Sequence, residues 1–418
     1  MNEIINDYLW FGYLPNSNID NFKKLASLRK KEDISYSVDS AFEIFKNVFD
    51  TLVDNGADRQ NIIPLSGGVD SRAILAALIE RVDKSKITTI TFGVPGQLDY
   101  DIGVRVAKEA QVKNISIDLR DISVDLASIK NSVKKSPWTA VPDSFFNQYV
   151  LDKYTEEGNV IWTGFLGGLT GDYIPSGNFS EEIIHYFLLR ELRVKDCQLY
   201  RNGFYPRLYI PSDLEKYNKD FSLAMLLHYG YHNACFTAPI LAPMKKWSSW
   251  SANFAILANS KKVIAPFADE RWAGYWIFSP LKYRSNQVLF LEMLNNTYPD
   301  LFSLPFKKQL GVFPYQRLFY FLKKLNHITR SKINYHMPWT NINSTLKKNY
   351  LDYDAIYRKR EDYQSVLFWA FEFLQSNNIV PWLNLEKLWN DHLKRKRNLG
   401  EAFNILIGLS VNLDVHKF

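Results

Sequence analysis

The sequence predicts an α/β fold, a doubly wound parallel sheet followed by a mainly helical region. Three observations predict it. Residues 62–65 are a short apolar run that meets a glycine turn and then a helical pattern. Residues 86–92, KITTITF, are a second run rich in β-branched residues, ending at Gly93. A further helical pattern then leads to NISIDL at 114–119. Strand, helix and strand at this spacing predict parallel crossovers, and ligands of such sheets sit at the carboxyl ends of the strands.

Taken in order, residues 1–31 read as an appendage, aromatic and punctuated by Pro15, before the charged run Arg29 to Asp33. Residues 32–180 read as the α/β domain and residues 181–418 as a helical domain. Ser37 to Asn55 places Ala41, Ile44, Phe45, Val48, Phe49 and Leu52 at helical spacing.

The stretch NIIPLSGGVDSRAILAALIERV, residues 61–82, organises the rest. A buried strand from Ile62 to Leu65 meets the turn Ser66, Gly67, Gly68, and a helix opens at Asp70 with Ile74, Leu75, Leu78 and Ile79 on its apolar face. Glycines can adopt backbone angles closed to other residues, so their N–H groups can crowd against an anion. The first N–H groups of the helix lack partners, and its dipole favours negative charge. The turn therefore reads as a phosphate cradle, to which Ser66 and Ser71 add hydroxyl donors. Asp70 stands where a phosphate would repel it, which implies a bridging Mg²⁺. No Gly-Lys-Ser/Thr follows the glycines, which excludes a P-loop kinase.

At the end of the second strand, Thr91, Phe92 and Gly93 are expected beside the cradle, where their backbone could hold an adenine. Asp99 and Asp101 open the next helix, either as ribose or substrate contacts or as helix caps. Residues 159–163, NVIWT, read as a strand running into GFLGGLTGDY. His228, His232 and Cys235 have a metal-like spacing, but no fourth ligand accompanies them, so they read as structural.

The string SGGVDS between strand and helix resembles the PP-loop of the ATP pyrophosphatases, the adenine nucleotide alpha hydrolase-like group. LSGGVDSRAILAAL resembles most closely the synthetase domain of the asparagine synthetase family. The resemblance extends from about Leu9 to the end, through VIAPFADERW at 263–272 and LWNDHLKRKRNLGEAFNILIGLSVNL near the C-terminus. It implies binding of ATP and Mg²⁺, adenylation of a carboxylate with release of pyrophosphate, and displacement of AMP by ammonia or an amine. It also implies nucleotide contacts at Leu65, Ser66, Gly67, Gly68, Asp70, Ser71 and Gly164, with Asp70 as a metal ligand.

Two departures accompany it. In the second glycine turn, Phe165 and Gly168 stand where the family has acids, and Asp172 is the nearby carboxylate that could replace them as metal ligand. Where the family has a catalytic Gly-Lys pair, alignment finds Asn286-Gln287, with Lys282 and Arg284 as substitutes for the catalytic charge. The family's glutaminase half, with a nucleophilic Cys after the initiator Met, has no counterpart before the cradle, and Asn2 stands at that position. The nitrogen would then come from free ammonium, a separate glutaminase or an amine already present on the acceptor.

Composition narrows the classes. With 418 residues and 46% hydrophobic content the chain can bury one large core or two ordinary ones. A net charge of +7 suits anionic substrates and falls short of a nucleic-acid footprint. Cys197 and Cys235 are too few for a disulfide framework. No run long enough to span a membrane occurs and MNEIINDYLW lacks signal-peptide character, so a cytoplasmic protein is expected. The expected activity is an ATP-dependent, AMP-forming carbon–nitrogen ligase. Its rivals are a catalytically degenerate nucleotide-binding or scaffold protein and a PP-loop tRNA-modifying enzyme.

Overall fold

The computed structural model describes residues 2–11, 35–53, 58–135, 138, 143–171, 256–258, 261–313, 315–340 and 351–417. The strands are β1 (Asn61–Pro64), β2 (Ile87–Gly93), β3 (Lys113–Asp118), β4 (Val160–Trp162), β5 (Ile256–Ala258) and β6 (Lys261–Ile264). They form one sheet in the order β3-β2-β1-β4-β6-β5. The first five of these are parallel neighbours, and β5 closes one edge antiparallel to β6.

The chain moves outward from β1 through β2 to β3, then returns to the other side of β1 for β4. Strand order reverses between β1 and β4, so the ligand crevice of such a sheet is expected at their carboxyl ends. Asn61 pairs with Val160 and Ile62 with Ile161 across this seam. Inside it the indole of Trp162 donates to Asn61 Oδ1 at 2.7 Å, so a buried polar pair fixes the two strands. Phe49, from helix Val38–Val53, stacks on Trp162 with ring centroids 6.0 Å apart.

β1 to β4 lie within one or two residues of their expected positions. Among the described residues, the mainly helical region from 181 onward also adds to the sheet, where β6 is a fifth parallel strand next to β4 and β5 an antiparallel edge. With four and three residues, these strands are too short to show an alternating pattern. Within the N-terminal stretch, the described helix packs on the body. Tyr8 and Leu9 of helix Asn2–Phe11 are fully buried, and a Cβ at Gly408 of helix Gly400–His416 would collide with the Tyr8 hydroxyl.

Candidate functional site

β1 ends against β2, with the Leu65 N–H donating to the Ile90 carbonyl at 2.9 Å. The turn that follows runs through Ser66 to Val69 into helix Asp70–Ile79. Its first glycine is required by space rather than by backbone angle. A Cβ on Gly67 would stand 2.9 Å from the Leu98 carbonyl oxygen and one on Gly68 3.3 Å from Ser66 Oγ, while neither residue has a left-handed φ. The expectation of unusual dihedrals at Gly67 and Gly68 is thus corrected: close approach of helix Leu98–Ala110 selects the first glycine.

The polar groups of the turn are paired with one another and with one carboxylate. Ser71 Oγ accepts the Ser66 N–H at 3.2 Å, and Ser66 Oγ accepts the Gly68 N–H at 3.2 Å. The Gly67 N–H donates to Asp99 Oδ1 at 3.2 Å. Of the two acids in that helix's first turn, Asp101 accepts the Gly96 N–H at 2.9 Å and serves the local turn. Asp99 instead serves the first glycine turn.

Lys307, which sequence reasoning missed, completes this arrangement. Its ammonium lies 2.6 Å from Asp99 Oδ2, and its backbone N–H donates to the Gly67 carbonyl at 3.0 Å. Arg72 explains how a residue so far along the chain arrives there. Its side chain is fully buried and donates to the carbonyls of Leu301, Leu304 and Pro305 at 3.1, 3.2 and 2.8 Å. The guanidinium also lies 4.2 Å from the centre of the Phe306 ring. Burial lowers its pKa to about 9, which leaves it charged at neutral pH. The helix that opens at the first glycine turn thereby holds the strap that delivers Lys307.

The second glycine turn follows β4. Here Gly164 and Gly167 make room for Asp70: a Cβ on Gly164 would lie 3.1 Å from Asp70 Cβ, and one on Gly167 would collide with the Asp70 carboxylate. Asp70 is thus held between the two turns. Phe165, Leu166, Leu169 and Thr170 are fully buried, and Leu166 is left-handed at φ 64°. Gly171 has φ 106°, and a Cβ there would fall on the Arg284 carbonyl.

Facing this turn, Asn286 and Gln287 are also left-handed, at φ 53° and 60°. Gln287 is buried and donates from Nε2 to Thr170 Oγ1 at 2.8 Å, and Thr170 donates onward to the Gly167 carbonyl at 2.9 Å. Its Oε1 has no hydrogen-bond partner among the described residues.

The structure brings Leu65, Ser66, Gly67, Gly68, Asp70, Ser71 and Gly164 together at the β1/β4 seam. Thr91, Phe92 and Gly93 lie at the carboxyl end of β2, beside β1. The Thr91 hydroxyl faces β3, donating to Asn114 Oδ1 at 3.1 Å, which leaves main chain for any ligand contact there. Arg284 is buried next to Gly171, and its positive charge partly offsets the rise in the Tyr36 pKa that burial causes. Lys282 is exposed, with its ammonium 4.8 Å from the centre of the Tyr283 ring. Asp172, His228, His232, Cys197 and Cys235 lie outside the described residues. Among the described residues no group of three His, Cys, Asp or Glu could hold a metal by itself. No protein-family model matches the chain, and no curated protein matches it.

Proposed function

We propose that the chain is an ATP-dependent, amide-forming synthetase of the asparagine synthetase type, built on a PP-loop ATP pyrophosphatase sheet. The observation that carries this reading is the meeting of Gly67, Asp99 and Lys307 at the strand-order reversal. A glycine turn that opens a helix is braced there by a lysine, and the lysine's present partner is a carboxylate. In this reading a phosphate takes the place of Asp99 at the Gly67 N–H, and Lys307 pairs with it. Ser66 and Ser71 supply further donors.

Asp70 fits the role of Mg²⁺ ligand, because Mg²⁺ is commonly bound by one or two carboxylates together with substrate phosphates and retained waters. Its chemistry would be to neutralise charge on the departing pyrophosphate. In the adenylation step a substrate carboxylate oxygen bonds to the α-phosphorus, and the bond from that phosphorus to the bridging oxygen breaks. An amine nitrogen then attacks the acyl carbon, loses a proton and expels AMP. Lys307 and the cradle N–H groups act where negative charge grows, which lowers the barrier more than it tightens ATP binding.

ATP–pyrophosphate exchange tests this across amino acids, short peptides and sugar acids. Label should enter ATP only when Mg²⁺ and one class of carboxylate are both present. ATP binding with no exchange for any carboxylate would favour a second reading, a nucleotide-binding protein without catalysis. Phe165, Gly168 and Gln287, which replace acids and a lysine in the resemblance, give that second reading its support.

A further inference from the structure

Helix Arg317–His336 presents the wrong face to solvent for an ordinary surface helix. Leu318, Phe321, Leu322, Leu325 and Ile328 fall on one stripe, each three or four residues from another member. They are exposed to 74%, 61%, 53%, 53% and 42%. The polar side is the one turned to the body: Lys323 donates to the Leu310 carbonyl at 3.4 Å, and Asn334 Oδ1 accepts from Asn398 at 3.1 Å. Contiguous apolar surface of this kind marks an interaction site.

The charge on the same segment indicates the partner. Across the helix, residues 317–336, the sequence has five Lys or Arg and no Asp or Glu. Within the helix, Arg317 and Lys324 are exposed beside the apolar stripe, and Lys332 is exposed beyond its C-terminal end. At its two ends stand Tyr315 and Trp339, 75% and 59% exposed. Aliphatic residues on the outward face, cations along its margin and aromatic residues at its ends form the pattern of a helix lying in a bilayer interface. No helix among the described residues is long and apolar enough to cross a membrane, so the contact is peripheral.

We propose that the outward face of helix Arg317–His336, with Tyr315 and Trp339, docks on an anionic lipid surface. A second copy of the same face would set cations against cations with no acid between them. A nucleic acid would satisfy the charge but leave Leu318, Leu322, Leu325 and Ile328 in water. A protein groove would have to enclose the helix, whose polar side is already held by the body. A bilayer meets the outward face as it stands. The proposal is independent of the glycine turns.

Co-sedimentation of the full chain with phosphatidylcholine vesicles, with and without phosphatidylglycerol, tests it. The wild type should bind the anionic vesicles at least about tenfold more tightly than the neutral ones, and added salt should weaken binding. The variant Leu322→Asp/Leu325→Asp changes only exposed positions. It should keep the wild-type thermal melt and lose about tenfold or more in vesicle binding. Lys324→Glu/Lys332→Glu keeps the apolar stripe and should lose the preference for anionic lipid. The proposal is overturned if anionic vesicles fail to sediment the wild type or if both variants bind like the wild type. It is also overturned if the apolar variant instead abolishes a dimer, tRNA binding or capture by a protein while vesicle binding is absent.

Discussion

The two glycine turns stand side by side at the carboxyl ends of β1 and β4, yet they are built differently. The first, Ser66 to Val69, is partly open and polar, and its N–H groups are held by acceptors that a ligand could replace, such as Asp99 Oδ1 and Ser66 Oγ. The second, Gly164 to Gly171, is closed over Phe165 and Leu166. Left-handed residues crowd it, with Leu166 in the turn and Asn286 and Gln287 opposite. Non-glycine residues in that region cost of the order of 1 kcal/mol or more each, and they persist where surrounding packing over-determines them. The contrast teaches that the proposed phosphate side keeps an exchangeable polar lining, whereas the side where the resemblance expects substrate acids has become a packed wall. Asp70 belongs to both, since its helix opens at the first turn and its carboxylate rests against the second.

Changes at Asp70 should therefore have the largest effect. Asp70→Asn keeps the shape that Gly164 and Gly167 accommodate and removes the charge. Pyrophosphate exchange should fall by about 10³-fold with an unchanged melting curve. An unaltered exchange rate would separate Asp70 from the chemistry and leave it a packing residue.

Lys307→Ala should come next, with a loss of about 10²-fold in kcat and a smaller change in the Kd for ATP. Lys307→Arg, which restores the charge, should recover part of the rate. Equal losses in binding and rate would make Lys307 a docking residue for the nucleotide.

Gln287→Met sharpens the other side of the contrast. It removes the bond to Thr170 but also removes the unpartnered Oε1, so stability should change by no more than about 1 kcal/mol. Exchange should fall less than about tenfold if the second turn is a wall. A larger loss at constant stability would show that Oε1 meets a substrate donor, and the two turns would then share the work. The smallest effect belongs to Lys282→Ala, at most about twofold in rate, because that ammonium is exposed over Tyr283. A loss near 10²-fold would return Lys282 to the site.

The first turn was readable in sequence because everything that forms it is local. Apolar residues at 62–65, two glycines and the helical spacing after Asp70 lie within one strand–turn–helix unit. The second turn was readable as a turn, but what packs on it was not. Gln287 is more than a hundred residues beyond Thr170, and no periodicity announces a buried amide between them. Lys307 was invisible for the same reason: its bond to Asp99 spans 208 residues, and the device that carries it there is the buried Arg72. In sequence, Arg72 is one charged residue in an apolar helix. Asp99 was readable as a carboxylate with two possible duties, and only its distance to the Gly67 N–H separates them. β5 and β6 escaped because three or four residues cannot establish a strand pattern against helical surroundings.

The central claim is that the N–H groups of the first turn exchange their internal acceptors for phosphate oxygens. Selective ¹⁵N-glycine labelling tests it through the amide resonances of Gly67 and Gly68 during titration with Mg²⁺ and ATP. The account predicts large, saturable shifts at Gly67 and Gly68, and smaller ones at Gly164, Gly167 and Gly168. Shifts confined to the second turn, or no shift at either turn at saturating ATP, would contradict it.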